Sequence, residues 1–113
     1  MAEIKIISSN KIKAEGNSET KVKDLFNSDS PDISIAEVIR NSKDRNKECD
    51  KISCNIYYVL DGDGICLTDK KEFKISKGDL VIIPKNTKYK NIGNIRLLAI
   101  SIPKFKMENQ VYE

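Results

Sequence analysis

Asn55–Pro84 reads NIYYVLDGDGICLTDKKEFKISKGDLVIIP and divides into short β-type segments separated by turn residues. A strand over Lys51 to Leu60 closes on Tyr57, Tyr58, Val59 and Leu60. Asp61-Gly62-Asp63-Gly64 then supplies turn chemistry, because glycine takes positive φ at little cost. Ile65 to Thr68 leads back, Asp69-Lys70-Lys71 turns again, and Glu72 to Ile75 is the next strand. Lys77-Gly78-Asp79 makes a corner into Leu80 to Ile83, an unbroken apolar run that predicts burial on both faces. Pro84 stops it.

Working outward, Lys85-Asn86 turns into a short strand over Thr87 to Asn91, Ile92-Gly93-Asn94 turns again, and Ile95 to Ile102 is the last long apolar strand. The tail from Lys104 reads as loosely attached. Upstream, Asn41 to Asp50 is a charged loop, and Ile33 to Ile39 alternates with apolar residues on both faces, as a strand between layers does. Asn27 to Asp32 is a loop by composition, with Pro31 disfavouring helix before it. Val22, Leu25 and Phe26 fit one helical turn or an edge strand, and the alternation of Ile4 and Ile6 predicts a strand over Glu3 to Ser8. The pattern is about nine short strands with regular turn signals and no helical stripe, which means an all-β sandwich or barrel.

A chain of 113 residues is one domain by length. The net charge of +3 is small, only Arg40, Arg45 and Arg96 are arginine, and the lysines are interleaved with acids. That argues for a solvated surface and against nucleic acid as a partner. No window approaches the roughly 20 apolar residues of a membrane span, and the N-terminal residues hold no signal-type apolar run. Cys49, Cys54 and Cys66 are an odd set without a disulfide framework, which fits a reducing, cytoplasmic setting. Their spacing matches no zinc pattern; Cys54 and Cys66 read as buried small apolar residues, and Cys49 as more exposed. Histidine is absent, which removes every mechanism that needs an imidazole base or ligand from this chain.

Two phrases resemble the cupin superfamily. Tyr58-Val59-Leu60-Asp61-Gly62-Asp63-Gly64 is similar to the family's YVLxGxG, and Gly78-Asp79-Leu80-Val81-Ile82-Ile83-Pro84 is similar to GDxxxxP. The resemblance implies a double-stranded β-helix, the cupin jelly-roll barrel, over a single domain 1–113 with its core at about 33–103. Residues 1–32 are then expected to pack on the barrel or on a dimer partner. In the family, ions such as iron or manganese are held mostly by histidine. With the first motif's closing glycine at Gly62, its glutamate falls on Asn55. Its two histidines fall on Glu48 and Asp50, or on Cys49 and Lys51 with the shorter spacer. The second motif's histidine falls on Tyr89. All four usual ligands are replaced, and a site of Glu48, Asp50, Asn55 and Tyr89 offers only oxygen-type groups, which a hard ion such as Mg²⁺ or Ca²⁺ could accept. The plainer expectation is that metal and cofactor are gone.

Strand parity extends the candidate site. Asn55 inward brings Tyr57 inward, and Tyr89 inward brings Thr87 and Asn91. Glu48, Asp50, Asn55, Tyr57, Thr87, Tyr89 and Asn91 are thus the candidate ligand-binding residues, a lining suited to hydrogen-bonding a small polar metabolite such as a carbohydrate derivative. The plainer alternatives are core tyrosines, a backbone-satisfied Asn55, and Glu48 and Asp50 at a solvated loop end. Three functions fit: a metal-independent binding protein; a metal-free sugar or keto-acid isomerase or epimerase, with Tyr89 or Tyr57 as acid and Glu48 or Asp50 as base; or a scaffold with a filled barrel. Unpaired sheet edges predict a homodimer in which an N-terminal strand packs on the partner.

Overall fold

The computed structural model describes residues 4–27 and 32–112. Its strands are β1 (Glu15–Gly16), β2 (Thr20–Asn27), β3 (Ser34–Ser42), β4 (Glu48–Asp50), β5 (Cys54–Thr68), β6 (Glu72–Ser76), β7 (Leu80–Ile83), β8 (Lys88–Ile102) and β9 (Gln110–Tyr112). Two short 3-10 turns, Ser9–Lys11 and Met107–Asn109, complete the described elements, and no α-helix occurs among them. All pairings are antiparallel, and the sheet curls into a jelly-roll barrel of the double-stranded β-helix type.

Two strands of 15 residues each form the spine. β5 pairs with β8 from Cys54↔Ile102 to Thr68↔Tyr89. The free edge of β5 takes β7 along its first half and β6 along its second. The free edge of β8 takes β4 at Lys88 and Tyr89 and β3 from Gly93 to Ser101, with β2 beyond β3. Each long strand therefore serves both sides of the barrel.

The two glycine clusters expected to turn the chain instead lie inside these strands. Gly62 pairs with Ile95 and Gly64 with Gly93, so neither Asp61–Gly64 nor Ile92–Asn94 is a hairpin. Positive φ at Gly62 (87°) and Gly93 (117°) bends two paired strands past each other at close range. A β-bulge between Val59 and Asp61 shifts the register there. It moves the inward phase of β5 from Asn55, Tyr57 and Val59 to Gly62, Gly64 and Cys66, which keeps both halves of the strand facing the interior.

The core gathers Val38, Val59, Cys66, Ile75, Ile83, Tyr89, Ile95 and Leu97. Other expectations fail at the periphery. Ile4 to Ser8 forms no strand, and Ile4 and Ile6 are 93% and 91% exposed; Glu3, like residues 28–31 of the expected loop, lies outside the described residues. Val22, Leu25 and Phe26 lie in a strand, β2. The run Leu80–Ile83 is not buried on both faces: Leu80 and Ile82 are 59% and 58% exposed, because they lie on the convex face of the sheet, opposite the core. Cys49 is buried, Cys54 only half-buried. Glu48–Asp50, expected as the end of a solvated loop, is a buried strand held between β8 and β9. The segment after Pro103 is tied down. The Phe105 amide donates to Ser34 Oγ at 2.9 Å, the Lys51 amide to the Asn109 carbonyl at 3.0 Å, and β9 pairs with β4.

Candidate functional site

Registers across five strands stack inward-facing side chains into rows. Asp24, Ala36, Ala99, Tyr57 and Val81 form one row, and Val22, Val38, Leu97 and Val59 the next. The concave side of these rows bounds a cavity of about 430 Å³. Small residues at Ala36 and Ala99 leave the space, and Phe105, Met107, Gln110 and Tyr112 from the C-terminal segment close one wall. A cavity of this size suits a small metabolite.

The polar wall is built on Tyr57, Tyr89, Glu48 and Arg40. Tyr57 and Tyr89 have ring centroids 5.9 Å apart at 52°, and their hydroxyls hydrogen-bond each other. Glu48 lies opposite Tyr89 in the β4–β8 register, beside the two phenols. Either hydroxyl can serve as the donor in the Tyr57–Tyr89 bond. Burial and the Glu48 charge push the Tyr57 phenol above its ordinary value. Burial, Tyr57 and Glu48 do the same to Tyr89. Both phenols thus stay protonated at neutral pH and act as donors.

Of the candidate residues, Glu48, Asn55, Tyr57 and Tyr89 come together in the cavity wall. Asn55 is largely consumed by structure: it accepts from Ser101 Oγ at 2.5 Å and donates to Asp50 Oδ2 at 3.3 Å. Asp50 does not reach the cavity; its Oδ1 caps the backbone amides of Ile52 and Ser53 at 3.0 and 2.8 Å. Thr87 precedes β8 and lines a separate cavity with Cys66 and Thr68, so it does not share the Tyr89 site. Asn91 is 1% exposed, off the cavity wall, and its amide group has no hydrogen-bond partner among the described residues. Arg40 was not among the candidates. Its even position in β3, in phase with Ala36 and Val38, was the available signal.

The structure has the cupin fold. The solved structures it resembles include the Streptomyces nucleoside dehydratase Pac13, also solved with uridine, with TM-score 0.85, 14% identity, and 98% of this chain and 92% of that one covered. Ectoine synthase from P. lautus aligns with TM-score 0.79 and 11% identity over 97% of this chain and 90% of that one. The cupin domain of Schizosaccharomyces pombe Cnp3 aligns with TM-score 0.71 and 20% identity over 85% and 72%. In sequence, an uncharacterized protein of Methanocaldococcus jannaschii is 40% identical over 58 residues, 48% of this chain and 46% of that protein's length, so the match spans about half of each. No protein-family model matches the chain.

Many cupins carry a metal ion, and the donor set here does not fit one. At the aligned positions Asp50 and Asn55 are bound to each other and to neighbouring protein groups, and Tyr89 is hydrogen-bonded to Tyr57. With the alternative spacer the positions fall on Cys49 and Lys51; Cys49 is buried and its Sγ contacts Asn86 Oδ1 at 3.8 Å, while an ammonium carries no donor pair. No group of three His, Cys, Asp or Glu side chains gathers among the described residues. No helix among them is long and apolar enough to cross a membrane.

Proposed function

We propose that the protein binds a small polyhydroxylated metabolite, a carbohydrate derivative, in the barrel cavity through side-chain hydrogen bonds and without a resident metal ion. The observation that carries this is the hydrogen-bonded Tyr57–Tyr89 pair beside Glu48 in the wall of an open cavity of about 430 Å³. Two neutral phenols and a carboxyl group offer donors and acceptors for ligand hydroxyls. The likeness to a nucleoside dehydratase solved with uridine, a ribose-bearing molecule, points the same way. The open cavity argues against a scaffold with a filled barrel. The test is a thermal-shift screen of aldoses, sugar acids and nucleosides. A true ligand at about 100 times its Kd adds roughly 2.7 kcal/mol of stability, and Tyr89→Phe lowers that gain. A screen in which no polyol moves Tm refutes the proposal.

The phenol pair beside Glu48 also favours a second reading, proton-transfer catalysis of the isomerase or epimerase kind. A proton taken from a bound ligand by Tyr57 is passed on as Tyr57 gives its own to Tyr89 and Tyr89 gives its own to Glu48, the base that ends protonated. Turnover of a screened ligand that is lost in Glu48→Gln separates catalysis from binding.

We further propose a homodimer. The convex face carries the row Phe26, Ile35, Ile100, Ile56 and Ile82 across five strands, with Leu98, Tyr58 and Leu80 beside it. The same chain bears an exposed apolar arm at Ile4 and Ile6, beginning next to Phe26, over whose ring Lys5 Nζ sits at 5.6 Å. A twofold pair covers both features at once. Sedimentation at micromolar concentration reads a dimer if this is right and a monomer if it is wrong. Three free thiols are consistent with a reducing, cytoplasmic setting.

A further inference from the structure

We infer that the ligand carries a carboxylate and that Arg40 is the residue that selects it. This deepens the cavity-binding reading and rests on it. The chain has three arginines. Arg45 pairs with Glu72 on the surface, and Arg96 pairs with Glu37 at 3.6 Å. Arg40 lies in the cavity wall, half-buried, and no carboxylate stands within ion-pair distance of it among the described residues. Its protein partners are neutral: Nε donates to Thr20 Oγ1 at 3.3 Å, and Nη1 to the Asn91 carbonyl at 2.9 Å.

These two bonds, from one strand on each side, fix the plane of the guanidinium. They use two of its five N–H donors. A half-buried cation without a counter-ion is a costly arrangement unless something supplies the charge. A planar fork is matched by a planar oxyanion.

The surroundings decide which oxyanion. No lysine lines the cavity, no helix N-terminus points into it, and Glu48 and the exposed Asp24 share its wall. One cation facing two carboxylates suits a monoanion; a phosphate dianion normally needs more donors than one arginine. Arg40, Glu48, Tyr57, Tyr89 and Tyr112 line the same cavity, so an acid held at Arg40 lays its hydroxyls against Tyr57 and Tyr89. The chemical class is a small hydroxylated monocarboxylate, such as a sugar acid.

The test compares matched probes by NMR titration of the full chain: glucose against glucuronate, galactose against galacturonate, and glucose 6-phosphate. Each acid is expected to bind at least about tenfold tighter than its neutral sugar, equivalent to roughly 1.4 kcal/mol. Arg40→Gln is expected to abolish that preference, so that acid and neutral sugar bind with equal affinity. Arg40→Lys, which keeps the charge but not the fork, is expected to retain part of it, and a native-like amide spectrum of either variant shows that it folds. Equal affinity for acid and neutral sugar, or a preference that survives Arg40→Gln, overturns the role of Arg40 and leaves the cavity reading standing. Tighter binding of glucose 6-phosphate than of the acids overturns the carboxylate assignment. Absence of binding by every probe overturns the inference and the cavity reading together.

Discussion

Tyr57 and Tyr89 share one buried hydrogen bond, and that sharing has a measurable signature. Tyr57→Phe removes the bond, a loss of about 1 kcal/mol. Tyr89→Phe removes the same bond, again at about 1 kcal/mol. The double variant should also cost about 1 rather than about 2 kcal/mol, because the bond is lost only once, giving a coupling near 1 kcal/mol. Urea unfolding at neutral pH reads this directly. With a slope of roughly 1.2 kcal/mol/M, each single variant and the double variant move the midpoint down by about 0.8 M. Strict additivity in the double variant would refute a bond shared by the two phenols.

Three further outcomes follow from the same geometry. Both core phenols are held above the ordinary tyrosine value of 10.0 by burial and Glu48. Their stabilisation is complete below that value and is lost as pH rises above it, when the unfolded chain releases protons that the folded chain retains. Stability should then fall by about 1.4 kcal/mol per pH unit for each phenol, and phenolate absorbance at pH 10 ahead of unfolding that is lost in Tyr57→Phe or Tyr89→Phe would count against the burial argument. Gly93→Ala places a Cβ 2.7 Å from the Asp63 carbonyl oxygen and from Gly64 Cα, whereas Gly78→Ala meets nothing within 4 Å. Both carry positive-φ strain of roughly 1–3 kcal/mol, so thermal unfolding should rank Gly93→Ala clearly the worse; the reverse order would contradict the close approach of the two long strands. Asn91→Leu removes a buried, unpartnered amide from the interior and should stabilise by about 1–2 kcal/mol, and a loss of stability in calorimetry would show that the amide is satisfied in solution.

The barrel was legible because alternation and turn residues survive in the sequence, but a glycine does not say whether it reverses a strand or bends one. Gly62 and Gly93 carry the positive φ of a turn while sitting inside two continuous ladders. Leu80–Ile83 is apolar on both sides, and a sequence does not distinguish cover by the same chain from exposure. At the site, parity brought Tyr57 and Tyr89 together, and the motif alignment placed Glu48. It did not reveal that Asp50 and Asn55 would spend their hydrogen bonds on the backbone and on each other. Thr87 was misplaced because β8 begins after it. Arg40 was passed over because one arginine at the end of an apolar strand looks like an exit to solvent. The C-terminal segment carried its own signal in Phe105, Met107, Val111 and Tyr112, spaced too irregularly to show a period.

The paired long strands also divide the molecule by durability. Amides in the β5–β8 ladder are interior to the sheet on both edges, while β2, β4 and β9, which bound the cavity, hang on its margins. Hydrogen exchange should be slowest along the spine and fastest in those marginal strands. A fluctuation that frees β9 and the turn before it would open the chamber to a solute and leave the barrel standing, so admission of a guest need not wait on global unfolding.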